Sequence, residues 1–233
     1  MILYMAIVNY YEKMPKDLLP KSFNPNKAEH GLNLPFRACI VAPSGSGKTN
    51  FLLNLISIFS KGKGTFASIC IITKHADEPL YNFLKLKSPQ ISIKEGLAST
   101  PDINKFDKDV NHLIVYDDLV LSKDLSVVEN IYIRGRKCGV SCIFISQSYH
   151  AIPTMIRKNS TYMIILRLGS GKRELSLVLS EFGMGMTKEQ LMAMYEYATD
   201  TKFVPLIIHM DEPDRDKKFF KGFRESLKPS DYA

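Results

Sequence analysis

The stretch Ala42-Pro-Ser-Gly-Ser-Gly-Lys-Thr49 constrains this chain more than any other because of what flanks it. Residues 36–41 are an apolar run of strand type, and residues 49–59 place Leu52, Leu53, Ile56 and Phe59 at helical spacing. A strand, a Gly-rich turn ending in Lys-Thr and a helix together form a phosphate cradle. Backbone N–H groups from Gly45 to Thr49 point inward, and the helix start adds its positive dipole end. In such a loop Lys48 reaches the β- and γ-phosphates and the Thr49 hydroxyl binds Mg2+. The pattern implies a nucleoside triphosphate, with Ala42, Pro43, Ser44, Gly45, Ser46, Gly47, Lys48, Thr49 and Asn50 as its binding surface. Ala42 stands where such loops usually open with Gly. That exchange is harmless only if the position keeps a negative φ, which alanine prefers and glycine does not require.

At 233 residues the chain suffices for one α/β domain with a buried core and is too short for two ordinary ones. A 45% hydrophobic and 24% charged composition is that of a globular protein, and a net charge of +7 hints at a polyanionic partner. Cys39, Cys70, Cys138 and Cys142 lie mostly in strand-like runs and read as buried free thiols. Cys138 and Cys142 have no second Cys/His pair at a zinc spacing, so a zinc site is excluded. The apolar start, residues 1–8, is too short to span a bilayer and has no basic flank or cleavage site. It fits a peripheral strand or an interface element, and no membrane partner is expected. The sequon Asn159-Ser-Thr carries no weight in a chain without a secretory signal.

Three segments are expected: an N-terminal extension (1–33), an ATPase-type core (34–212) and a basic tail (213–233). Within the core, strand-like runs at 36–41, 68–73, 112–117, 140–146, 162–168 and 203–210 alternate with helix candidates at 49–59, 78–86, 126–136, 152–158, 173–182 and 188–198. The last helix carries a capping pattern in Thr187-x-x-Gln190. Such alternation predicts an α/β fold with a mostly parallel sheet covered on both faces. The tail, with Phe219, Phe220 and Phe223 among lysines, reads as a solvated helix or docking tail, or else as a DNA-contacting segment.

Leu113-Ile-Val-Tyr feeds into Asp117-Asp118, as a buried strand does when its C-terminal tip enters a polar site. Asp117 would hold Mg2+ through its water shell, and Asp118 could orient or deprotonate an attacking water. Two adjacent carboxylates repel unless a cation lies nearby, so the pair itself favours a metal-bearing site. A third apolar run, 140–146, ends at Gln147, whose carboxamide can donate to a γ-phosphate oxygen and accept from water together.

Taken in order, Leu34-Pro-Phe-Arg, Ser-Gly-Ser-Gly-Lys-Thr49 and Ile-Val-Tyr-Asp-Asp118 resemble the FtsK–HerA superfamily of DNA-pumping ATPases. Arg134-Gly-Arg-Lys-Cys-Gly-Val, Ile-Ser-Gln-Ser-Tyr149 and Ile-Arg-Lys-Asn159 are similar to the genome-packaging ATPases of poxviruses, giant viruses and virophages. The resemblance covers residues 34–182. It implies a RecA-like P-loop fold of the ASCE type, with an extra strand, tipped by Gln147, between the phosphate-loop and carboxylate strands. It implies ATP and Mg2+ as cofactors and a homo-oligomeric ring, pentamer or hexamer, with nucleotide between subunits and an arginine supplied across the interface.

The run Leu168-Gly-Ser-Gly-Lys-Arg173 resembles the place where such motors carry that arginine, so Arg173 is the favoured candidate, with Arg157, Arg134 and Arg136 as alternatives. The implied function is translocation of double-stranded DNA into a preformed capsid, with capsid or portal-vertex proteins as partners, in a viral factory of the host cytoplasm or in the virion. Lys61, Lys63, Arg134, Arg136, Lys137 and the tail lysines are candidate DNA contacts, made to phosphates because a motor must accept every sequence. The alternatives are a cellular DNA motor of the same superfamily, a P-loop kinase acting on a small molecule, and a nucleotide-gated DNA-binding subunit with little turnover. A GTPase switch is disfavoured because the chain has no Asn-Lys-x-Asp motif.

Overall fold

The computed structural model describes residues 8–15, 23–169, 172–182 and 185–232, so most of the apolar N-terminal start and the Ser170-Gly171 pair lie outside the described residues. The strands are β1 (Arg37–Val41), β2 (Ser68–Thr73), β3 (Ile91–Glu95), β4 (His112–Asp117), β5 (Val140–Ser146), β6 (Tyr162–Ile165), β7 (Leu206–His209), β8 (Phe219–Lys221) and β9 (Glu225–Leu227). The helices are α1 (Lys27–His30), α2 (Lys48–Phe59), α3 (Pro79–Lys85), α4 (Ser126–Arg134), α5 (Thr154–Asn159), α6 (Lys172–Phe182) and α7 (Lys188–Ala198). The strands form one sheet in the order β3-β2-β4-β5-β1-β6-β7-β8-β9. Pairing is parallel from β3 through β6 and antiparallel from β6 through β9.

The expected α/β architecture is present, and β5 lies between β4 and β1, where the inserted strand was anticipated. Central strands bury both faces, which is why they read as unbroken apolar runs. On β1, Ala38 and Ile40 join the core beneath α2, with Leu52, Leu55 and Phe59. Cys39 and Val41 face the opposite core, built with α4 to α7 through residues such as Tyr132, Ile156, Val178 and Met194. All four cysteines are free and buried. Thr187 and Gln190 form the anticipated capping box at the start of α7.

Differences from the sequence expectations concentrate at the edges. The edge strand β3 has no helical or fully apolar signature because only Ile91 of its five residues is buried. The strand expected at 203–210 shortens to Leu206–His209, since Phe203 turns to a positive φ of 70°. Residues 23–33 pack into the molecule: the buried Asn26 amide donates to the carbonyls of Phe59 and Lys61 and to Thr65 Oγ1, satisfying chain ends beyond α2.

The segment from residue 213, expected as a solvated helix or docking tail, forms β8 and β9 instead. Successive side chains of a strand point to opposite faces. Phe219 enters one core, whereas Phe220 packs against the other. Phe223, in the turn between these strands, stacks on Phe51 of α2 with ring centroids 5.5 Å apart. Among the described residues no helix is long and apolar enough to cross a membrane.

Phe219 is fully buried, so Phe219→Ala should lower unfolding free energy by about 3–5 kcal/mol. The urea midpoint should fall with an unchanged slope. A loss within about 0.5 kcal/mol would mean that the C-terminal hairpin is not part of the core.

Candidate functional site

The site is assembled at the C-terminal tips of three adjacent parallel strands. Val41 of β1 is paired with Ser146 of β5, and Asp117 of β4 with Ile145 of β5, so the residues that follow each strand emerge at one level. The Ala42 N–H donates to Ser146 O at 3.0 Å, fixing the start of the phosphate loop to the end of β5. Ala42 is fully buried and is not among the described residues with positive φ, so its methyl group is accommodated.

Positive φ falls instead on Gly45 (77°) and Gly47 (90°), where glycine is required. Inside the loop, Ser46 Oγ donates to Pro43 O at 2.7 Å. The Phe51 N–H closes the first helical bond to Gly47 O at 2.9 Å. The amides of Lys48, Thr49 and Asn50, in the first turn of α2, have no acceptor within the helix.

Beside this loop lies a cavity of about 240 Å3 lined by Lys48, Thr49, Thr73, His75, Glu78, Asp117 and Asp118. Asp117 is buried, and burial pushes its carboxyl up from the ordinary range, against the opposing pull of the Tyr81 hydrogen bond and of Lys48. The Tyr81 hydroxyl donates to Asp117 Oδ2 at 2.5 Å. Asp117 Oδ1 is buried with no hydrogen-bond partner.

An orphaned carboxylate oxygen beside a Lys and a Thr hydroxyl is chemically suited to a hard cation or its water shell. Among the described residues no group of three or more His, Cys, Asp or Glu converges as a metal cage would. Mg2+ needs none, because it is commonly held by one or two carboxylates with phosphate oxygens and waters. Thr49 and Asp117 therefore fit the group that the sequence implied.

Asp118 sits at φ 56°, a left-handed conformation that Asp tolerates better than most residues. There its Oδ1 accepts from Gln147 Nε2 at 3.2 Å. The fold thus brings Asp118 and Gln147 together across β4 and β5. Glu174 on α6 braces the residues after Gln147, accepting from Ser148 Oγ at 2.8 Å and from the Tyr149 N–H at 2.6 Å.

Arg173, the residue before this clamp, is exposed at the start of α6. Arg157 is engaged by groups of its own chain. Its Nε lies 3.0 Å from Glu181 Oε2, its Nη1 donates to Ile152 O at 2.8 Å, and its guanidinium covers the Tyr149 ring. Arg134, the last residue of α4, and Arg136, just beyond it, are exposed.

Sequence reasoning missed Tyr81, Glu78, His75 and Glu174. Tyr81 and Glu174 carried no local signal, because each meets its partner only through helix packing. Glu78, ahead of Pro79 at a helix start, carried a weak one.

Residues 23–210 match the family described as poxvirus A32 protein. The chain is 31% identical over 146 residues to the DNA packaging protein OPG160 of variola virus, covering 58% of this chain and 54% of that protein. The figures are the same for OPG160 of vaccinia virus strain Copenhagen. The chain spans about half the length of these relatives.

Among solved structures, it resembles the genome packaging NTPase B204 of Sulfolobus turreted icosahedral virus 2 in complex with ATP-gammaS. The TM-score is 0.55 at 15% identity, over 77% of this chain and 94% of B204. It also resembles EssC (ATPases 2 and 3) from Geobacillus thermodenitrificans, with TM-score 0.53 at 13% identity over 84% and 40% of the respective chains. These two likenesses are ones of fold.

Glu174→Ala should cost about 1.5–3 kcal/mol for its charge-assisted hydrogen bonds and speed hydrogen exchange of the Tyr149 amide. Unchanged protection of that amide would show that α6 does not hold the loop after Gln147.

Proposed function

The chain belongs to the family of the poxvirus A32 protein, and from that premise we propose that it is an ATPase that drives double-stranded DNA into a viral capsid. What carries the proposal is the convergence of Lys48, Thr49, Asp117 and the Asp118–Gln147 pair beside one loop of free amides. In it the phosphate loop binds the polyphosphate of ATP, and Lys48 places positive charge against the β- and γ-phosphates. Mg2+, held through Thr49 and Asp117, would neutralise phosphate charge there. Tyr81 holds Asp117 through Oδ2, so that Oδ1, which has no hydrogen-bond partner, would be the oxygen left for the ion or its water shell. Asp118 orients or deprotonates the attacking water, and Gln147 senses the γ-phosphate while bonded to Asp118.

Arg173 is the arginine presented to a neighbouring subunit. Glu174, next to it, grips the residues after Gln147, so the state of the γ-phosphate and the placement of Arg173 are mechanically linked. A group donated forward in this way requires a head-to-tail ring, pentameric or hexameric. Loss of the γ-phosphate then releases the contacts that ordered the seam. Duplex DNA is gripped through its phosphates by exposed basic residues such as Lys63, Arg134, Arg136 and Lys137, and capsid or portal-vertex proteins dock the ring. The place of action is the viral factory or the virion. The ATPase unit comprises the core at 34–212 together with residues 23–33 and the C-terminal hairpin packed on it.

ATP hydrolysis stimulated by duplex DNA is expected, with Lys48→Ala and Asp118→Asn each lowering turnover by about 100-fold or more. Phosphate release measured with and without DNA checks this, and a Lys48→Ala variant as active as wild type would overturn it. Light scattering with a non-hydrolysable ATP analogue and duplex DNA should reveal a ring, and a chain that stays monomeric under those conditions would remove the shared seam. Tyr81→Phe should raise the Mg2+ concentration for half-maximal hydrolysis by about tenfold or more, as loss of an outer-shell partner does. An unchanged Mg2+ requirement would remove Tyr81 from the site.

A further inference from the structure

We propose that Phe203 is the platform on which the base of the bound nucleotide stacks, in a second cavity on the far side of the phosphate loop from the carboxylates. The proposal deepens the ATPase assignment above and rests on it. Phe203 adopts φ 70°, and it and Asp118 are the two non-glycine residues of positive φ among those described. Bulky side chains seldom take that conformation, and such outliers cluster at ligand sites.

The turn is held by the Val204 N–H donating to Thr201 O at 3.2 Å, and by Lys221 pairing with Asp200 at 2.9 Å. The result is a phenyl ring laid directly on the phosphate loop. A Cβ added at Gly47 would lie 2.3 Å from Cδ1 and Cε1 of that ring. Despite this contact the side chain remains 38% exposed.

Beside the ring lies a cavity of about 470 Å3 whose walls include Asn50, Asn54, Lys202, Phe203 and Phe223. The cavity holding Asp117 and Asp118 is walled by Lys48 and Thr49. The two linings adjoin in the first turn of α2, at the consecutive residues Thr49 and Asn50. A ligand whose terminal phosphates face Asp117 and Asp118 and whose other end passes Asn50 reaches the aromatic side chain of Phe203.

The flat apolar ring suits a purine face, and Lys202 Nζ, which stands over that ring 4.9 Å from its centroid, makes a cation–π contact that a stacked base would take over. Amide groups suited to ribose and base edges stand alongside. Asn54 Nδ2 is spent on Asn50 O at 2.8 Å, which leaves the Asn54 carbonyl oxygen available as an acceptor.

The test compares ATP with inorganic tripolyphosphate, which shares the phosphates and lacks the base, by calorimetry on the full chain. Phe203→Ala should weaken ATP binding by roughly 5- to 100-fold, the range for losing one base–aromatic stack, and leave tripolyphosphate within twofold. Equal weakening of both ligands, or unchanged ATP affinity, would overturn the proposal. The chain contains no tryptophan, so Phe203→Trp supplies a unique fluorophore that should retain ATP binding. Its emission should change on saturation with ATP and not with tripolyphosphate; emission indifferent to ATP would overturn the proposal even if the alanine variant failed to fold. Wild type that binds ATP more tightly than tripolyphosphate yet hydrolyses none would defeat the motor assignment and leave the stacking platform standing.

Discussion

Parallel pairing in register at the tips of β4, β5 and β1 is the constraint on which the site depends. Val41 opposite Ser146 and Asp117 opposite Ile145 bring the phosphate loop, Gln147 and the Asp117-Asp118 pair to one edge of the sheet. Side chains alternate along a strand, so a slip of one residue would turn the Asp117 carboxylate to the opposite face. The register is itself held by both cores. Every residue of β4 and β5 is buried, and β1 is buried from Ala38 onward, so a slip would displace apolar side chains on two faces at once.

Against that rigid frame the structure concentrates its local costs near the nucleotide site. A carboxylate is buried with one oxygen unpartnered, and two non-glycine residues take positive φ, one at each end of the inferred ligand. Such groups are unfavourable in an empty fold and become favourable when a ligand supplies the missing charge or contact. Tyr81 limits the cost at Asp117 by donating one hydrogen bond, and it leaves the buried Oδ1 without a partner.

The antiparallel strands β7 to β9 extend this logic beyond the parallel sheet. The turn between β8 and β9 stacks Phe223 on Phe51 in α2, and the turn before β7 lays Phe203 on Gly47. Helix α2 and its capping glycine are thus contacted from the C-terminal side by residues far away in sequence. On the opposite flank Glu174 of α6 braces the loop after Gln147.

What the sequence alone determined were the features encoded by neighbouring residues. The Gly-Ser-Gly-Lys-Thr turn between a strand and a helix, the apolar run ending in Asp117-Asp118, and Gln147 after a third run are each contiguous, and their strand types follow from burial on both faces. The capping box of Thr187 and Gln190 was legible for the same reason. Tertiary structure decided which distant side chains complete the site: Tyr81 on Asp117, Glu174 on the Gln147 loop, Phe203 on Gly47, and Arg157 withdrawn into a pair with Glu181. It also turned the Phe- and Lys-rich tail into strands, because a hairpin of three-residue strands gains its burial only from a sheet edge and a helix supplied elsewhere in the chain. Local patterns record backbone periodicity and the chemistry of adjacent groups. Pairings across the fold are fixed by how helices seat on the sheet, which no short stretch of sequence encodes.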